Sequence, residues 1–147
     1  MGRPLIDFTK NCLLACCLVI SVVSRAVDTP KKATIAVVGD ADHLNVGQNG
    51  FCGKRTAVDQ PSDISFDVPA GKKTWFYMRS KFRTTDVTST CEAEFAFTPE
   101  AGLIHIIRFT FPNDKCYFEV FRGAPGQKPE RINVEVAPSK ACIMGEK

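Results

Sequence analysis

Beyond residue 26 the chain alternates apolar and polar residues with a period of two, as strands with one buried face do. Ile64, Phe66 and Val68 alternate with Ser65 and Asp67. Cys91, Ala93, Phe95 and Phe97 share one face, with Glu92 and Glu94 on the other. His105, Ile107, Phe109 and Phe111 lie opposite Ile104, Ile106, Arg108 and Thr110. Cys116, Phe118 and Val120 face away from Tyr117, Glu119 and Phe121, and Ile132, Val134 and Val136 alternate with Asn133 and Glu135. Runs at 33–39 and 73–81 complete about seven strands. No stretch has a convincing helical period.

Turn chemistry falls between the runs. Asn49-Gly50, Pro69-Ala-Gly71, Pro99-Glu-Ala-Gly102, Pro112-Asn-Asp114 and Gly123-Ala-Pro-Gly126 supply the fixed φ of proline and the positive φ of glycine that reversals need. The expectation is an all-β chain folded as a single antiparallel β-sandwich of about seven strands, following an N-terminal signal segment. The stretch from Gly47 to Ser62 is the longest without a clear period and is expected to be a loop.

The first residues follow a different rule. An uncharged apolar run from Cys12 to Val23 follows a start carrying Arg3 and Lys10. It is shorter than the roughly 20 residues a spanning helix needs. Together with the small residues of Ser24-Arg25-Ala26 it has the form of a secretory signal cleaved after Ala26. Residues 1–26 are read as signal peptide and 27–147 as the β-sandwich domain. Two alternatives stay open: a lipoprotein box at Leu13-Leu14-Ala15-Cys16, with Cys16 as the lipidated residue, and an uncleaved anchor. The expected location is outside the cytoplasm: periplasm, outer membrane or extracellular space. Contact with membrane is expected only through the signal, an anchor or a lipid.

Composition sharpens this picture. With 44% apolar and 24% charged residues, the 147-residue chain is neither disordered nor collagen-like. Its net charge of +3 falls to about +1 without Arg3, Lys10, Arg25 and Asp7. That balance argues against nucleic acid as a partner. Three of the seven cysteines sit in the signal, leaving Cys52, Cys91, Cys116 and Cys142. An even set in an exported chain is expected to form disulfides, and four cysteines allow three pairings. The strand pattern favours Cys91–Cys116 with Cys52–Cys142. A zinc site is not expected, because no two of the four have C-x₂₋₄-C spacing and His43 and His105 are isolated.

Phe66-Asp-Val-Pro69-Ala-Gly71-Lys-Lys-Thr74 resembles the strand-turn-strand P-x-G-K-x-T of PEGA-like small envelope β-domains. Cys91-x₃-Phe95-x-Phe97-x-Pro99-Glu100-x-Gly102, with Cys116 closing the next strand pair, is similar to uncharacterised bacterial secreted proteins and lipoproteins. The likeness covers about residues 63–122. It implies an envelope location and a small all-β domain, and no activity.

Residues with chemistry are present without a recognisable catalytic arrangement. Gly39-Asp-Ala-Asp-His43 has the ingredients of a carboxylate–imidazole metal site but reads as an exposed turn, and His105 reads as a core or edge histidine. Glu92 and Glu94 read as neighbouring solvent-facing carboxylates, and Lys54-Arg55 and Lys72-Lys73 as solvated turn residues. No P-loop, G-x-S-x-G, H-E-x-x-H or EF-hand pattern occurs. No catalytic residue, metal or cofactor is assigned. The most suggestive run is Trp75-Phe76-Tyr77 followed by Arg79, Lys81 and Arg83. Phe76 and Met78 belong to the core by parity, leaving Trp75, Tyr77, Arg79 and Lys81 together on the opposite, less buried face. The expected function is binding or structural association with an unidentified envelope or extracellular partner. That strand face and the 47–62 loop form the candidate surface. The alternative is a secreted hydrolase or hydrolase inhibitor acting through the His43/Cys52 region.

Overall fold

The computed structural model describes residues 31–138. The expected signal segment 1–26, with Cys16, and the expected disulfide partner Cys142 lie outside the described residues. The described strands are β1 (Lys32–Gly39), β2 (His43–Gly47), β3 (Arg55–Val58), β4 (Ile64–Pro69), β5 (Thr74–Arg83), β6 (Thr88–Phe97), β7 (Ile104–Thr110), β8 (Tyr117–Gly123), β9 (Glu130–Ile132) and β10 (Glu135–Val136). They form two five-stranded sheets. Sheet one runs β4-β1-β7-β8-β9 and sheet two runs β10-β6-β5-β2-β3. The architecture is all-β and sandwich-like, but it is not closed into a barrel.

The strand number and the all-antiparallel pairing differ from expectation. There are ten strands among the described residues instead of about seven. Two of the additional strands lie where alternation is too brief to register: β2 offers only Leu44 and Val46 to the core, and β3 is a four-residue edge strand inside the expected 47–62 loop. The third arises because the run ending at Val136 is broken in two. Ile132 pairs with Val120 in sheet one, whereas Val136 pairs with Phe95 in sheet two, so Asn133 and Val134 carry the chain from one sheet to the other. Strands that change sheets are a common way to make the corner of a sandwich.

The sheets are also not wholly antiparallel, since β1 and β7 pair in parallel, with Ile35 beside His105 and Val37 beside Ile107. After β1 the chain forms β2 and β3 in sheet two, β4 in sheet one and β5 and β6 in sheet two, and returns through the 98–103 turn to the end where β1 begins. There Gly102 N donates to Lys32 O and Thr34 N donates to Leu103 O. Gly39 ends β1 at φ +113°, and a Cβ there would stand 2.1 Å from the Phe109 carbonyl oxygen. Only glycine permits this approach of β1 to β7.

The expected core parity is observed in the central strands. Ile35, Val37, Ile107, Phe109 and Val120 of sheet one face Leu44, Phe76, Met78, Cys91, Ala93, Phe95 and Phe97 of sheet two, and all are buried. Through the middle runs an aromatic stack. Phe118 lies 5.0 Å from Phe95, Phe95 lies 5.4 Å from Phe76, Phe76 lies 5.0 Å from Phe97, and Phe97 lies 5.3 Å from the His105 ring. Burying each phenylalanine is worth about 1.5–3 kcal/mol, with about 0.5–1.5 kcal/mol more for well-placed ring pairs.

The sheets are also joined covalently. Cys91 on β6 bonds to Cys116, just before β8, with a Cα–Cα distance of 5.4 Å. Cys52 is disulfide-bonded as well.

Candidate functional site

The outer face of sheet two is built by register. Gly47, Trp75, Ala96 and Glu135 lie in one row across β2, β5, β6 and β10. Ala57, Asn45, Tyr77 and Glu94 form the next, followed by His43, Arg79 and Glu92. Lys81 lies beside Thr90 where β5 runs into solvent. Trp75, Tyr77, Arg79 and Lys81 therefore occupy one face, and residues of the 47–62 stretch adjoin them.

Neighbouring side chains hold these groups. The Phe51 ring meets Trp75 edge-on at 6.5 Å, and the Lys73 ammonium stands 5.5 Å from the centre of the indole while also pairing with Glu135. The Tyr77 hydroxyl donates to Glu92 Oε1 at 3.0 Å, and the His43 ring meets Tyr77 edge-on at 6.0 Å. Burial, then the hydrogen bond to Glu92 and its charge, push the Tyr77 phenol up from its ordinary pKa. Arg79 Nε pairs with Asp42 Oδ1 at 3.5 Å.

Arg55 departs from the expected solvated turn. Read as a solvated turn cation, it is a β3 residue whose side chain is only 13% exposed, ion-paired to Glu94. Its guanidinium lies 5.9 Å from the centre of the Tyr77 ring. Gly47 makes the route available, since a Cβ on Gly47 would stand 2.9 Å from Arg55 Cγ and 2.7 Å from the Lys54 carbonyl oxygen. Burial draws the guanidinium pKa below its ordinary value, and Arg55 Nε is buried without a hydrogen-bond partner among the described residues. Glu94 is correspondingly half-buried instead of solvent-facing, and Lys73 is ion-paired instead of simply solvated. An alternation pattern cannot find Arg55, because the feature that buries it is an absent side chain on the next strand.

The other chemical candidates go elsewhere. His43 opens β2 instead of lying in a turn, with its Nε2 3.2 Å from Asn45 Nδ2. The neighbouring carboxylates serve the backbone: Asp40 accepts from Phe111 N at 2.9 Å and Asp42 accepts from Lys81 N at 2.8 Å. Among the described residues no group of three or more His, Cys, Asp or Glu is placed to hold a metal ion. His105 is fully buried in the core. Its Nε2 accepts from Glu100 N at 3.4 Å. Burial lowers its pKa and keeps the ring neutral.

No family model, curated protein or solved structure matches this chain.

Sheet one presents a contrasting outer face. Ala36, Val38, Ile104, Ile106 and Phe121 lie on it, each only partly exposed, with the Arg108 guanidinium 5.5 Å from the centre of the Phe121 ring. Sequence alternation could have revealed this face, because β1 and β7 are apolar at both parities, the mark of strands covered on both sides.

Proposed function

We propose that the protein is an exported cell-envelope domain that works by binding, with the outer face of sheet two as its recognition surface. One observation carries this reading: Trp75, Tyr77, Arg79, His43 and Glu92 lie on the outer face of sheet two, each held by a neighbouring side chain, Tyr77 by Glu92 and His43, Trp75 by Phe51 and Lys73, and Arg79 by Asp42. Aromatic rings and arginines are the side chains that dominate binding energy at protein surfaces. Fixing them before contact lowers the ordering cost of association. Export is supported by the signal-like start of the chain and by the Cys91–Cys116 disulfide, a bond compatible with an oxidising compartment. No catalytic step is assigned. His43, the centre of the alternative hydrolase reading, is part of this same surface through its contact with Tyr77.

Site-specific photocrosslinking in the producing cell tests the reading. A photoreactive residue at Tyr77 or Lys81 should yield a discrete adduct, and one at Ile106 on sheet one should not. Adducts from Ile106 alone would overturn the assignment of the recognition face.

A further inference from the structure

A cavity opens along the side of the sandwich where β4 is the edge strand of sheet one and β3 that of sheet two. Val58 and Thr56 of β3 have the same parity as the buried Leu44 and partly buried Val46 of β2. Phe66 and Val68 of β4 pair with the fully buried Ile35 and the buried Ala33 of β1. On the closed part of the sandwich these positions would be core. Here Val46, Val58 and Phe66 are only partly buried and, with the buried Val68, line an open cavity of about 490 Å³. That volume lies within the about 300–1,000 Å³ typical of small-molecule sites.

The mouth of the cavity is chemically one-sided. Gln48, Asn49 and Lys54 line it on the β2–β3 side, offering two amides and an ammonium as donors. Lys54 has no ion-pair partner among the described residues. On the opposite wall Asp67 is already engaged, accepting from Thr34 Oγ1 at 3.1 Å and pairing with Lys32 at 3.6 Å. The carboxylate on the rim therefore already has partners, while the Lys54 ammonium has no ion-pair partner among the described residues. An apolar floor beneath uncompensated donors is complementary to a molecule with an apolar body and a single anionic head.

We propose that the groove between β3 and β4 binds a small anionic amphiphile of the medium-chain carboxylate class. Its hydrocarbon lies on Val46, Val58, Phe66 and Val68, and its carboxylate meets Lys54. This site is separate from the outer face of sheet two, and neither proposal depends on the other.

Titration of the folded protein with sodium decanoate below its micelle concentration, followed by amide chemical shifts, tests the proposal. Saturable shifts at Val46, Lys54, Val58 and Phe66 are expected. Lys54→Glu should weaken decanoate about five- to tenfold while leaving decanol binding unchanged, since only the carboxylate meets the ammonium. Thr56→Trp, at an exposed position on the cavity wall, should block both ligands without touching the buried core. Shifts centred on Ile104 and Ile106 of sheet one would overturn the site, as would the absence of saturation. Equal decanoate affinity in Lys54→Glu would overturn the anionic head.

Discussion

Replacing Cys91 and Cys116 together with alanine removes the covalent link between β6 and the start of β8. Alanine is the appropriate substitute because Cys91 is only 1% exposed, and a serine would bury a hydroxyl there. The bond closes a loop with a sequence separation of 25. The loop-entropy relation assigns such a closure about 3.5 kcal/mol at 25 °C. Unfolding entropy near 2.1 cal/mol/K per residue, taken over the described span, converts this to a fall in Tm of about 15 °C. Thermal unfolding followed by near-ultraviolet circular dichroism reads the change. The double variant is a cleaner perturbation than a reductant, because Cys52 is also disulfide-bonded and reduction would open both bonds. The variant should keep native secondary structure at 20 °C and unfold cooperatively at the lower temperature. A fall of less than about 4 °C would refute the reasoning, showing that the aromatic stack alone holds the sheets in register.

Gly47→Ala should cost about 1–3 kcal/mol in denaturant unfolding, because the new methyl meets the Lys54 carbonyl oxygen at 2.7 Å and the stem of Arg55. A double-mutant cycle between Arg55 and Glu94 should show coupling in the native protein and none in the Gly47→Ala background. His105 makes stability depend on pH. Its folded pKa lies below the ordinary 6.5, so the unfolded chain takes up the proton first. Its contribution is therefore complete above pH 6.5 and declines as pH falls toward the folded pKa. His105→Leu should flatten that slope, measured as unfolding free energy between pH 7.5 and 5, and an unchanged slope would assign the effect to other groups.

Much of the core was readable in advance because β4, β5, β6, β7 and β8 each carry several consecutive alternations with one face packed. Parity alone placed Phe76 and Met78 inside and Trp75, Tyr77, Arg79 and Lys81 together outside. β2 and β3 escaped notice for a physical reason: short strands near a sheet edge bury one or two residues, too few to establish a period. The switch between β9 and β10 was invisible because the alternation of Ile132, Val134 and Val136 continues across a change of sheet. Arg55 and the β3–β4 groove lay beyond sequence reading for a third reason. One depends on an atom missing from Gly47, the other on how far two sheets diverge, and neither property belongs to a single strand.

The sandwich has its two sheets joined through Cys91 and Cys116, and its export is a proposal. Both can be read at once by peptide mapping by mass spectrometry, without reduction, of protein recovered from the cell envelope and medium. An N-terminal peptide beginning at Val27 and a linked pair containing Cys91 and Cys116 are expected. Recovery of the protein in the cytoplasm alone, with Cys91 and Cys116 as free thiols, would contradict it.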